Sequence, residues 1–201
     1  MRKQKTAILV FFCVITIACS PRDFLTRRLA ADLIGASEAF KTPQQFLLRT
    51  GVVSNKDYLS PDYLVIQRRG WITAVNVPCT ANISPAPCWD VSLTPIGVET
   101  FHDLIPPEAA ARQYLPVNTA HRQLVAITGI SKNGNLADVD FIWKWVPMNE
   151  VGAALSAAES FRSTVGFKHY DDGWRLMENT ETKSSQGLED ALKDAVPSPV
   201  P

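Results

Sequence analysis

Along the chain the spacing of apolar positions changes several times, and each spacing predicts an element. Between Arg22 and Ala36, Leu25, Leu29 and Leu33 recur every fourth residue, with Phe24 and Ile34 widening the stripe. That is one face of an amphipathic helix. Thr42-Pro43 then supplies an N-cap with proline at the first helical position, and Gly51 stands where a helix would stop. A second helix is expected over the residues between them. From Ser54 to Gly70, the register of Tyr58, Tyr63, Leu64, Val65 and Ile66 fits helix and strand equally. Trp71 to Val75 reads as a strand on its β-branched and aromatic content, and Trp89 to Leu93 alternates apolar and polar as strands do. Thr94-Pro95 repeats the helix-opening signature, and Pro106-Pro107 ends that element. Residues 108–120 read as an Ala-rich turn or short helix followed by an irregular link.

Period two is clearest from Gln123 to Val146. Leu124 to Ile130 forms one strand, Asn133-Gly134 is a strong turn dipeptide, and the return strand places Ala137, Val139, Phe141, Trp143 and Trp145 on one face. Asp138, Asp140, Ile142, Lys144 and Val146 take the other, which predicts a half-buried strand. A second hairpin is expected from Val165–Tyr170 to Trp174–Met177 across Asp171-Asp172-Gly173. Residues 150–160 are Ala-rich and helical or loop-like. The segment 179–201 is polar, with a short helix near Leu188–Ala195 and a Pro-Ser-Pro-Val-Pro end, and reads as a disordered tail. Helices followed by antiparallel hairpins define an α+β class, with N-terminal helices and a sheet built from hairpins.

Charge changes the picture only at the start of the chain. Whole-chain net charge is zero, but Arg2, Lys3 and Lys5 are the only charges before Cys19, and removing these three leaves 17 basic against 20 acidic residues. A mildly acidic remainder has no surplus to neutralise phosphates, so no nucleic-acid partner is expected. Thr6 to Ala18 carries no charge, and a positive start followed by a short apolar run has the form of a signal peptide over residues 1–18. It is too short to span a hydrocarbon core of about 30 Å comfortably. The run ends Thr16-Ile17-Ala18-Cys19-Ser20, which resembles the lipobox of bacterial lipoproteins. Thr16 departs from the usual Leu. The resemblance, which covers only the first twenty residues, implies lipidation of Cys19 and anchoring in the cell envelope, so residues 19–41 are expected to hold the lipidated N-terminus and the amphipathic helix read above. Ser20, in place of Asp, points by the same resemblance to an outer membrane, with the domain facing the periplasm. An ordinary secretory signal is the alternative.

Of four cysteines, Cys13 lies in the leader and Cys19 takes the lipid, leaving Cys79 and Cys88. An even pair in an oxidising compartment reads as a disulfide. A metal site would need further ligands, and no His or second cysteine pair stands nearby at ligand spacing. Trp89 is expected to pack against this bridge.

Residues 42–178 form the predicted globular domain. Its last strands, a Trp-rich strand and one closing in Tyr-Asp-Asp-Gly-Trp-Arg-Leu, resemble over residues 122–178 the end of NTF2-like (cystatin-like) domains. Residues 42–105 are alternatively a winged-helix-like subdomain. For chemistry the pattern offers little: there is no phosphate loop, His-Glu-x-x-His or nucleophile elbow. No catalytic residue, metal ligand or cofactor is assigned. Asp138 and Asp140 read as a solvated sheet face, and Asp171-Asp172-Gly173 as a turn. The leading expectation is a non-catalytic binding or accessory domain for an envelope protein. The second is a pocket for a small apolar ligand, lined by Phe141, Trp143, Trp145, Phe167 and His169. An isomerase or hydrolase on an NTF2-like fold is the third, with His169 as its ionisable group.

Overall fold

The computed structural model describes residues 24–79, 86–105, 114–156, 159–179 and 185–198. The expected signal peptide, Cys19, Pro106-Pro107 and the last three residues lie outside them.

The first amphipathic stripe folds as expected. Helix α1 (Arg27–Ala36) is capped by Thr26, whose hydroxyl accepts from the Leu29 N–H at 3.1 Å. Its deepest residues are Ala30 and Ile34, with Leu25, Leu29 and Leu33 packed around them. Ser37 closes α1 and opens α2 (Glu38–Lys41): its hydroxyl donates to the Ile34 carbonyl and accepts from the Phe40 N–H.

The next expectation fails. Residues after Thr42-Pro43 form strand β1 (Gln44–Arg49), not a helix. Phe46 and Leu48 are buried and Leu47 between them is exposed, a period of two. A segment that reaches a partner along its whole length gains a ladder that a short helix could not match, and β1 pairs with residues 114–120 throughout. Gly51, at φ 78°, lets the chain bend out of β1 into β2 (Gly51–Ser54) instead of ending a helix.

The ambiguous stretch resolves as α3 (Asn55–Tyr58) and α4 (Pro61–Arg68). Strands β3 (Ile72–Val77) and β4 (Cys88–Leu93) and helix α5 (Pro95–His102) follow as predicted, with Thr94 capping α5. The long strand β5 (Tyr114–Asn133) includes residues 114–120, where the sequence predicts an irregular link. It turns through Gly134 into β6 (Leu136–Pro147), and α6 (Glu150–Leu155), β7 (Ser160–Tyr170) and β8 (Gly173–Leu176) complete the middle of the chain.

In the tail, the short helix expected near Leu188–Ala195 is present, and residues 185–198 pack on the domain where disorder is expected. Helix α7 (Leu188–Lys193) buries Leu188, Ala191 and Leu192, and β9 (Val196–Ser198) pairs with the start of β7. A turn that hides three apolar side chains belongs to the core.

Two antiparallel sheets result. The larger is a curled sheet of order β1-β5-β6-β7-β8, with β9 also on β7; the smaller is β2-β4-β3. The larger sheet packs Ile127, Ala137, Val139, Phe141, Trp143, Val165 and Phe167 against α1, α2 and α7. A second core gathers Val53, Tyr58, Tyr63, Ile66, Trp71, Val91 and Phe101 of the small module around Phe46 and Leu48 of β1. Leu115 and Val117 of β5 and Val151 of α6 join this second core, so β5 runs through both. Ile142 is buried as well, so the face of β6 expected to be solvated is only partly so.

Tyr63 links the small module to β1. Its hydroxyl accepts from the Arg49 N–H at 2.5 Å and donates to the Arg49 carbonyl at 3.1 Å, and burial pushes its pKa up to about 12.

Cys79 and Cys88 form a disulfide across the β3–β4 connection, with Cα atoms 5.1 Å apart. Trp89 stacks on Tyr58 at 4.6 Å, and its indole N–H donates to Asn55. Closing a loop of this length stabilises a fold by about 2–3 kcal/mol on the chain-entropy model. The double substitution Cys79→Ser with Cys88→Ser is expected to lower unfolding free energy by that amount in urea titrations. A loss below about 0.5 kcal/mol would mean that the hairpin and the Trp89–Tyr58 stack hold the loop unaided.

Candidate functional site

The aromatic stripe of β6 lies where period two put it, facing α1 and α2. Phe141 and Trp143 are buried, and Phe40 of α2 meets both rings at 6.4 Å. Trp143 also stacks on Phe161 at 4.9 Å and donates its indole N–H to the Ser163 hydroxyl at 3.0 Å. Phe167 is fully buried in the same cluster. Of the five sequence-predicted ligand residues, these three are core residues with their polar atoms satisfied.

His169 is separate. It sits half-buried near the β7–β8 turn, its ring 5.0 Å from Trp174, with Nε2 buried and unbonded. Trp145 is the fifth, half-buried where β6 leaves the helices, and it leads to a residue that the sequence pattern did not single out.

Arg122 of β5 stands directly across the ladder from Trp145. Its guanidinium lies 4.4 Å above the Trp145 ring and 5.5 Å from that of Trp143. Cation–π contacts of this kind are worth roughly 0.5–2 kcal/mol, more where water is excluded. Nη1 donates to the Ala39 carbonyl at 2.5 Å and, at 3.5 Å, to that of Thr42, which ties the end of α2 to the sheet. Nε is buried without a partner. Desolvation pulls the pKa of Arg122 below its ordinary value, because burial penalises the charged form.

Arg122 forms one wall of a cleft of about 260 Å³ between α2 and α7, completed by Ala39, Thr42, Glu189, Leu192 and Lys193. A second cleft, of about 440 Å³, lies where α5 meets α6; Glu99, Asp103 and Glu150 give it an acidic lining. None of the five predicted ligand residues lines either one. Among the described residues, no group of three or more His, Cys, Asp or Glu side chains is placed to hold a metal ion. Asp140 accepts from the Thr164 hydroxyl at 2.6 Å, and Asp172 pairs with Arg175, whose guanidinium holds its carboxyl below the usual range.

No family model, curated protein or solved structure matches the chain. The arrangement therefore speaks for itself: two packed cores, a disulfide-closed hairpin, and a half-buried cation beside a small cleft.

Proposed function

We propose that the chain is a lipoprotein of the bacterial cell envelope, anchored through lipid on Cys19, whose α+β domain binds an envelope partner and is not a catalyst. The observation that carries this is the Cys79–Cys88 disulfide. Disulfides persist in exported proteins, and the leader ending Ala18-Cys19-Ser20 directs the chain to the same kind of compartment. Ser20 favours the outer membrane, with the domain in the periplasm. Thr26, the cap of α1, is the seventh residue after Cys19, a reach of at most about 25 Å. The domain then works close to the bilayer surface.

The finer fold follows the same lines. N-terminal helices laid on the inner face of a curled antiparallel sheet support the NTF2-like reading. In the small module, β2, α3, α4 and the β3–β4 hairpin, with sheet order β2-β4-β3, support the winged-helix-like one.

Wild type is expected in the detergent phase after Triton X-114 partition, and Cys19→Ser in the aqueous phase or unprocessed. Two acyl chains anchor stably where none can. Identical partition of the two proteins would end the anchor reading. In-cell crosslinking of the wild type, with Cys19→Ser as control, then tests for the envelope partner.

A second reading, a small-ligand domain, is favoured by one observation, the cleft beside Arg122. His169, the ionisable group of the enzymatic alternative, lines neither cleft described above.

A further inference from the structure

The cleft between α2 and α7 has a chemistry that anchoring and core packing leave unexplained. A guanidinium presents five N–H donors in a rigid fork. In Arg122 only Nη1 is engaged, by the carbonyls of Ala39 and Thr42, while Nε is buried without a partner. Arg122 makes no ion pair among the described residues. The edge formed by Nε and Nη2 is the one that receives a carboxylate through two parallel hydrogen bonds. The guanidinium lies over the rings of Trp145 and Trp143, whose faces favour its charge.

The other walls narrow the choice of ligand. Lys193 adds a second positive charge at the mouth, held loosely by Glu189 at 4.0 Å and Asp190 at 3.8 Å. Glu189 lines the same cleft and repels a second negative charge, which disfavours a phosphate dianion. Ala39 and Leu192 give apolar contact for a carbon chain. A volume of about 260 Å³ lies below the roughly 300–1,000 Å³ of drug-sized sites, so the occupant is small.

We infer that this cleft binds a small aliphatic monocarboxylate, with its carboxylate on the unpartnered Nε–Nη2 edge of Arg122, near Lys193, and its chain against Ala39 and Leu192. The inference goes beyond the envelope-partner reading and does not depend on acylation of Cys19.

The test uses the full-length chain in non-ionic detergent, titrated with sodium butyrate at constant ionic strength and followed by tryptophan emission. Trp145 and Trp143 report directly, because the Arg122 cation lies over both rings. Wild type is expected to give a saturable change. Arg122→Lys keeps the charge and loses the fork, and is expected to weaken binding at least about tenfold. Lys193→Glu, at an exposed position, leaves the fold intact and is expected to weaken it about threefold or more. Circular dichroism accompanies each variant; if Arg122→Lys does not fold, Lys193→Glu decides. No saturable change in wild type overturns the site, as do superimposable curves for wild type and the folded variants. Inorganic phosphate binding as strongly as butyrate overturns the assignment to a monocarboxylate. Detergent partition of the same preparations reports the anchor separately, so either idea can fail without the other.

Discussion

Gly152→Ala is expected to unfold the protein or to lower its stability by more than about 4 kcal/mol. Gly152 lies in α6, where the helix crosses β5 so closely that a Cβ would overlap the Thr119 carbonyl oxygen and stand 2.7 Å from its carbon. The obstacle is backbone, so no rotamer change relieves it. Extra methylenes in a packed site usually cost about 1–3 kcal/mol because side chains can yield; here the helix itself must lift from the strand. That lift would also pull Asn149 away, whose side chain accepts from the Gly152 N–H at 2.8 Å and donates to the Asn118 carbonyl at 2.7 Å. Gly97 meets the Trp71 carbonyl in the same way. Gly35, with open space where a Cβ would go, is the internal control. Gly35→Ala is expected to be neutral or to stabilise by up to about 1 kcal/mol through helix propensity. Thermal melts of the alanine variants at Gly152, Gly97 and Gly35 separate close approach from a general intolerance of glycine replacement. Equal effects at Gly35 and Gly152 would refute the explanation.

Phe141→Ala and Phe101→Ala are each expected to cost about 3–5 kcal/mol, one in each core. Both side chains are fully buried, so truncation leaves a cavity as well as losing transfer free energy. Their value lies in comparison. Trp143 reports on the first core and Trp71 on the second, each in contact with the truncated ring's surroundings. Because β5 contributes Ile127 to one core and Leu115 and Val117 to the other, both probes are expected to melt together in either variant. Melting of Trp71 alone in Phe101→Ala would show that the small module unfolds as a separate unit.

The parts of this fold that could be read from residue spacing are those where one period dominates. Helix α1, the β5–β6 hairpin and the β7–β8 hairpin each carry a long, unbroken pattern, and the even cysteine pair gave the disulfide. Strand β1 was hidden because Phe46-Leu47-Leu48 is a continuous apolar run that fits either period, while Thr42-Pro43 imitates the helix opening seen at Thr94-Pro95. Its partner was hidden by Pro116. That proline is tolerated because β6 pairs with β5 only from Ala120 onward, so Pro116 has β1 alone as its ladder neighbour.

Arg122 was missed for a geometric reason. Counting straight back from the turn places Leu124 opposite Trp145, but bulges near Val125 and Thr128 shift the register by two residues and bring Arg122 there. Bulges insert an unpaired residue and are poorly marked in sequence. The short helix expected near Leu188–Ala195 was legible from Leu188, Ala191 and Leu192 at one-turn spacing, but its packing into the core was not, because its surroundings are polar.

The continuity of β5 has a mechanical meaning. Val117 is locked into the second core and Arg122 holds the cleft, five residues apart on one strand, about 17 Å. Between them the strand changes ladder partner at Ala120, from β1 to β6, with a bulge in the β1 ladder beside it, so the two cores are tethered in series through a joint at that residue.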